Sequence, residues 1–415
     1  MAVSLTDQAD APIAAADTQS AASDSGARAV NAELRARARA AAEIAARHAG
    51  PVDVAARFPH EALEAIRAQR LLGIQVPSAL GGEGAGISAI ADVCYQLGQA
   101  CSSTAMTYAM HQIKTACILR HRGTSPALER LLRRMAAEQL LLASSTTEGQ
   151  RGGDIRSSEA PVVHTDGRIS LERRATVISY GAYADGIVTT ARRAPDAEAS
   201  DQVMVAFLKA DYTLTRLSGW NTLGMRGTCS EGYTLKASGS ADQVLPEPYA
   251  VIHAQTLVPC AHLLWSSVWT GIAAGAVGRA QGYVRNAARQ SGGQLPPGAA
   301  QFSKALSSLR SLRGMLASAI RSYEMSQYDD KVLASMEFQS MITLTKVEAS
   351  ELAVSIVMNA LRVCGLSGYR CDHEFSIERQ LRDVLSAPIM INNERILANL
   401  ASTMLLSPVP SSVSE

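Results

Sequence analysis

Several residue patterns in the chain have the composition that chemistry requires. The run Thr147-Glu148-Gly149-Gln150-Arg151-Gly152-Gly153-Asp154 is a Gly-rich turn. Such a turn lets backbone N–H groups approach a ligand's polar edge or a pyrophosphate, while a Thr hydroxyl offers one more hydrogen bond. His111, within Tyr108-Ala109-Met110-His111-Gln112, supplies an imidazole, a competent base near neutral pH. Glu148 and Glu394 supply carboxylates, and His373 a second imidazole. The seven cysteines (Cys94, Cys101, Cys117, Cys229, Cys260, Cys364, Cys371) are odd in number, scattered and never spaced C-x-x-C. That argues against a disulfide framework or a zinc site and for small packing residues in a reducing compartment. No G-x-G-x-x-G or Walker signature occurs, so a Rossmann nucleotide fold is not supported.

The elements that must position these groups come in three blocks. An Ala-rich segment, 31–48, stops at Gly50-Pro51 and reads as a helix followed by a break. Further helices are predicted at 59–72, 86–102, 103–121 and 125–140. The runs GRISLERRATVIS, GIVTTARR, DQVMVAFLKA and EGYTLKA are short, β-branched and partly alternating, with turn signals such as Asp166-Gly167 between them, which predicts a β domain. Helices return at 256–290, about 298–328, about 335–363 and 376–405. In the second of these, Phe302, Leu306, Leu309, Met315, Leu316, Ile320 and Tyr323 form one apolar stripe. The expected fold class is α+β, mostly α: a helical domain at 31–140, a β domain at 141–245 and a four-helix bundle at 246–415.

Composition narrows the function. Lys plus Arg is 39 and Asp plus Glu 38 in 415 residues, a net charge of +1 that gives no global field to gather nucleic acid or anionic lipid. Residues 1–30, rich in Ala, Ser, Asp and Thr, read as a disordered tail with no signal-peptide pattern before Arg28. The uncharged stretch from Pro248 to Gly278 is expected to be a buried helix, because its clean part, Leu263 to Gly278, falls short of the roughly 20 residues a membrane span requires.

The block order and a series of local sequences resemble the acyl-CoA dehydrogenase family of flavoproteins over about residues 31–405. Leu71-Leu72-Gly73-Ile74-Gln75-Val76-Pro77, followed by Gly81-Gly82-Glu83-Gly84, resembles the family's turn from helix into the substrate-side loop. Thr147–Asp154 is similar to its T-E-P-x-x-G-S-D loop, with Gly149 for Pro and Gly153 for Ser. Ile178-Ser179-Tyr180-Gly181 resembles its W-I-T-N-G strand, with Val177 where an aromatic usually packs on the flavin. Leu223-Gly224-Met225-Arg226-Gly227-Thr228 matches L-G-x-R-G-[ST]. Arg289, Gly293 and Gln301 resemble a degraded R-x-x-F-G…Q motif. Cys364-Gly365-Leu366-Ser367-Gly368-Tyr369, with Glu378-Arg379 and Arg382-Asp383, resembles Q-x-x-G-G-x-G-Y…E-R…R-D, and Arg362 replaces the Gln. The resemblance implies FAD as cofactor, held by Thr147, Gly152, Gly153, Ser179, Arg289, Gln301, Arg362, Gly365 and Asn393. Because that site is completed between subunits in the family, it also implies a homo-oligomer, a tetramer built as a dimer of dimers.

One departure bears on mechanism. A family dehydrogenase removes an α-proton of an acyl thioester with a Glu carboxylate while hydride passes to the flavin. Counting from Asp383, that position is Ile391; the alternative position on the first bundle helix is Val268. Loss of a general base typically costs about 10² to 10⁴ in rate. His111 and Glu394 are the candidate replacements, and Glu148 reads as structural. The leading expectation is a cytoplasmic FAD-dependent oxidoreductase that acts on an acyl thioester, linked to CoA or a carrier protein, with a non-standard base and an electron-transfer partner or O₂ as acceptor. One alternative is a reduced-flavin-dependent monooxygenase of the same fold; the other is a noncatalytic flavin-binding or interaction protein.

Overall fold

The computed structural model describes residues 14–148, 155–405, 409, 411 and 412, with backbone only at 14–31 and 403. Five helices come first: α1 (Ala14–Ala55), α2 (His60–Ala68), α3 (Ile87–Ala100), α4 (Ser102–His121) and α5 (Pro126–Glu138). Strands follow: β1 (Leu142–Ser145), β2 (Val163–Thr165), β3 (Arg168–Ile178), β4 (Gly186–Arg192), β5 (Gln202–Leu208), β6 (Tyr212–Ser218) and β7 (Glu231–Ser240). Then come α6 (Tyr249–Ile252), α7 (Val258–Gln290), α8 (Ala299–Ser326), α9 (Asp330–Ala334), α10 (Met336–Cys364), α11 (Leu366–Tyr369), α12 (Glu378–Val384) and α13 (Asn393–Met404). The α+β, mostly α class is the one expected.

Two stretches differ from the sequence reading. Helix α1 starts at Ala14, inside the stretch read as a tail, and the Ala-rich composition favours that extension. It also runs through Gly50-Pro51 to Ala55, with Val52 buried beyond the proline. The segment 376–405 is two helices, α12 and α13, parted by turns that include Pro388.

The strands make two sheets, β1-β4-β5 and β2-β3-β7-β6. Strand β1 pairs parallel with β4, and the remaining pairs are antiparallel. Along β3 exposed and buried residues alternate, as a strand with one core face requires. The β3–β7 register slips between Ala175 and Ile178, a bulge that re-aims the residues around Val177.

In the C-terminal block α7 packs on α10, α8 and α3. The α8 stripe is largely realised, with Leu309, Leu316, Ile320 and Tyr323 buried. Helices α3 and α7 cross where side chains vanish: a Cβ on Gly98 would lie 2.6 Å from the Val268 carbonyl oxygen, and one on Gly271 2.4 Å from that of Tyr95. This close crossing buries the uncharged stretch. The window of Tyr249–Gln290 apolar enough to cross a membrane is 89% buried within the protein.

The β block docks on the helices through residues that the motif matches single out. The Met225 amide donates to Asp383 Oδ1 at 2.6 Å, and Arg382 Nη1 donates to the Leu223 carbonyl at 2.9 Å. A Cβ on Gly224 would lie 2.2 Å from the Arg382 carbonyl oxygen, so that approach requires glycine. Arg382 also pairs with Asp53 and Glu378, while Arg226 Nε donates to the Asp53 carbonyl and the Gly227 amide to Ser103 Oγ. The L-G-x-R-G-[ST] and R-D matches therefore form a single interlocked joint between α1, α4, α12 and the loop before β7.

Candidate active site

A cavity of about 1050 Å³ lies between the sheets and the helices. Its strand-side wall carries Ser144, Thr146, Thr147, Val177, Ser179, Thr228 and Ser230. Ser179 Oγ meets Ser230 Oγ at 2.7 Å, Ser230 Oγ meets Thr228 Oγ1 at 2.8 Å, and Thr228 Oγ1 donates to the Met225 carbonyl at 2.9 Å. This hydroxyl chain is anchored at one end and leaves Ser179 at the cavity.

The helical wall is mostly apolar. Helix α4 contributes Met106, Met110, Ile113 and Lys114, which share one face by their spacing. A π-helical turn at His253–Leu257 and the start of α7 contribute His253, Leu257, Val258, Ala261, His262 and Trp265. The loop between α12 and α13 adds Leu385, Ile389, Met390 and Ile391. Among the described lining residues there is no Asp or Glu. A planar ring system with polar edges and apolar faces fits such a site, since hydroxyls stand on one wall and aliphatic groups on the other. Thr147 and Ser179 both stand on the hydroxyl-bearing wall.

His111, one of the two candidate bases, is not at the cavity. It is fully buried, its Nδ1 accepts the Leu142 amide at 3.0 Å, and its Nε2 lies 2.9 Å from the Leu72 carbonyl. The proton must therefore sit on Nε2 and be donated to Leu72, which leaves neither nitrogen free. Burial pushes the imidazole down to about 4, so it is neutral and ties α4 to the loop after α2 and to β1. Glu394 is corrected as well: the first turn of α13 leaves it exposed and outside the cavity lining. Asn393 does not face the cavity either. Its Oδ1 accepts from Lys346 Nζ at 2.6 Å, and its Nδ2 donates to Ser350 Oγ and Glu351 Oε1.

Of the remaining expected positions, Gly152 and Gly153 lie outside the described residues. Arg289 is exposed at the end of α7, Gln301 bonds Asn359 on α10, and Arg362 and Gly365 are exposed at the end of α10. None of these four lines the cavity. Glu148 is buried against Arg173 at 3.3 Å and accepts from Ser158 Oγ and the Glu159 amide, a structural set of contacts. Ile391 does line the cavity, whereas Val268 is buried at the α3 crossing.

Sequence reasoning missed Lys114. It is 2% exposed yet lines the cavity, and burial pushes its ammonium down to about 8. The signal was available as a lone cation on an otherwise uncharged helix face with Met106, Met110 and Ile113.

Comparison with known proteins agrees with this architecture. The model of the acyl-CoA dehydrogenase N-terminal domain matches residues 30–139, and that of the C-terminal domain matches residues 263–403. The chain is 29% identical over 386 residues to cyclohex-1-ene-1-carbonyl-CoA dehydrogenase of Geobacter metallireducens, covering 88% of this chain and 96% of that protein. It is 27% identical over 354 residues to L-evernosamine nitrososynthase of a Micromonospora species, with 80% of each covered. Among solved structures, FMN-bound TdsC from Paenibacillus sp. A11-2 shares the fold with a TM-score of 0.80 at 17% identity, covering 91% of this chain and 98% of that one. With both of its helical blocks matched, the chain belongs to the acyl-CoA dehydrogenase family and is a flavin-dependent oxidoreductase.

Proposed function

We propose that this enzyme uses reduced flavin and dioxygen to oxidise a small, largely apolar substrate, instead of drawing an α-proton from an acyl thioester. The observation that carries this reading is the lack of any carboxylate among the described residues lining the cavity, with Ile391 at the position expected for the base. Proton abstraction from carbon needs a base within hydrogen-bond reach, and neither His111 nor Glu394 supplies one. The bound flavin supplies two-electron chemistry and, once reduced, reaction with dioxygen. The chain's own part is to orient and to exclude water. Thr147 and the Ser179–Ser230–Thr228 chain present hydroxyls to the ring edge, while Met106, Met110, Leu257 and Met390 keep the substrate side dry.

Acyl thioester dehydrogenation is the second reading, and the near full-length similarity to an acyl-CoA dehydrogenase favours it. Under either reading we infer FAD, a homo-oligomer that completes its site through Arg289, Gln301, Arg362 and Gly365, and a cytoplasmic setting. The experiment is spectroscopic. The purified flavoprotein is mixed anaerobically with a panel of acyl thioesters, then reduced chemically and exposed to ¹⁸O₂ with candidate aromatic and amine substrates. Incorporation of ¹⁸O into product, without thioester bleaching of the oxidised flavin band, is the expected result. Bleaching by a thioester overturns the reading in favour of the second.

A further inference from the structure

A buried cation with no partner in the cavity has a consequence for what the cavity accepts. Lys114 extends from α4 and has no hydrogen-bond or ion-pair partner among the described residues. Two further groups on the facing helix α7 are left open: His262 Nδ1 and Trp265 Nε1 are buried without partners, and both residues line the same cavity. His262 is held neutral, pushed down to about 3 by burial and by Lys346 and His253, so its open Nδ1 does not add a second charge. Among the described residues, the other charged side chains that line the cavity are Arg156, Arg382 and Arg395, all cationic. Burying an ammonium without a counter-charge is costly. A ligand that brings a negative oxygen to it recovers that cost, whereas a purely hydrocarbon ligand does not.

We propose that Lys114 is the recognition site for an anionic oxygen, a carboxylate or phenolate, on an otherwise apolar substrate body, with the Trp265 indole N–H as a neutral donor to a second polar atom. The apolar body is held by Met106, Met110, Ile113 and Ala261. This rests on the cavity being the substrate site and specifies which small molecules it selects. A simple saturated acyl chain is disfavoured there, because its hydrocarbon would replace water around the ammonium without offering an acceptor.

The test measures binding to the flavin-loaded protein by calorimetry near pH 7, with two matched probe pairs: phenylacetate against phenylacetamide, and 4-nitrophenolate against nitrobenzene. The unmodified protein is expected to prefer the anion of at least one pair by about tenfold or more, the size of a charge-assisted hydrogen bond. Lys114→Met should reduce that preference to within about threefold and Lys114→Arg should largely keep it. The carboxylate and phenolate arms tell which anion the site takes. No preference in the unmodified protein overturns the proposal without need of any variant, and so does an unchanged preference in Lys114→Met or Lys114→Gln. A change in flavin potential in Lys114→Met with no anion preference assigns the lysine to the cofactor and also overturns it. These binding results do not depend on turnover, so they and the oxygen-incorporation experiment fail separately.

Discussion

Lys346 Nζ donates to the carbonyl of Ile391 at 2.8 Å, and Ile391 sits at φ +50°, a left-handed conformation that a β-branched residue rarely adopts. The loop at the position expected for a catalytic base is thus held from α10 by a buried ammonium that also donates to Asn393 Oδ1 and lies 5.6 Å from the Trp269 ring centre. The scaffold that would present a base is built, and the base is replaced by an aliphatic side chain.

Ile391→Glu places a carboxylate at that position. If the cavity accepts an acyl thioester at all, the variant should gain thioester-dependent bleaching of the flavin by about 10² or more over the unmodified protein, the usual worth of a general base. Stopped-flow absorbance checks this, and a variant that stays inert shows that the cavity itself excludes thioesters.

Removing the anchor should loosen the loop. Lys346→Met strands the Ile391 carbonyl and Asn393 Oδ1 without their donor, at about 1 to 3 kcal/mol for each buried group left unsatisfied. Denaturant unfolding should show a loss of that order, and Asn393→Ala in the same background should cost less than it does alone.

His111 gives a pH dependence with a definite sign. Its folded value of about 4 lies below the usual 6.5, because burial disfavours the charged ring. The unfolded chain therefore binds the extra proton first, so the contribution to stability is complete above pH 6.5 and is lost as pH falls toward 4. At about 1.4 kcal/mol per unit, the ceiling is about 3 kcal/mol. His111→Gln should narrow this acid-side loss in thermal melts while leaving no new limb in a pH–rate profile.

Lys114 carries the same sign in a higher pH window. Burial depresses its ammonium to about 8; Cys117 opposes the shift, and the nearby Arg173 adds a smaller push downward. Glu148 sits on Arg173 and offsets part of that guanidinium. Between pH 8 and the ordinary 10.5 the unfolded state holds more protons, so the penalty for burying Lys114 is present below 8 and fades as pH rises. Lys114→Met should be more stable than the unmodified protein at pH 7, and the gap should shrink by pH 9.5; melting curves at the two values decide it.

Gly224→Ala tests the joint between the blocks. A methyl 2.2 Å from the Arg382 carbonyl oxygen cannot be housed without separating the loop from α12. A loss of about 3 kcal/mol or more is expected, with weaker flavin retention, since overpacking costs about 1 to 3 kcal/mol even where neighbours yield. Gly167→Ala, which has open space around its Cβ though φ is +73°, serves as the strained but uncrowded comparison.

The sequence by itself determined the block order, the apolar stripe of α8 and the family resemblance, because periodicity and turn residues are local properties written along the chain. It also located the absence of a base at Ile391, since a side chain that cannot ionise cannot act as one wherever it lies. Direction was decided only by tertiary structure. His111 and Lys114 are three residues apart on one helix, yet one turns to Leu72 and Leu142 and the other to the cavity. Arg382 and Asp383, which the sequence shows only as part of a motif match, make hydrogen bonds to Met225, Leu223 and Asp53. Which way a side chain faces, and what it finds there, depends on helices and sheets brought together from distant parts of the chain, and no spacing within one segment encodes it.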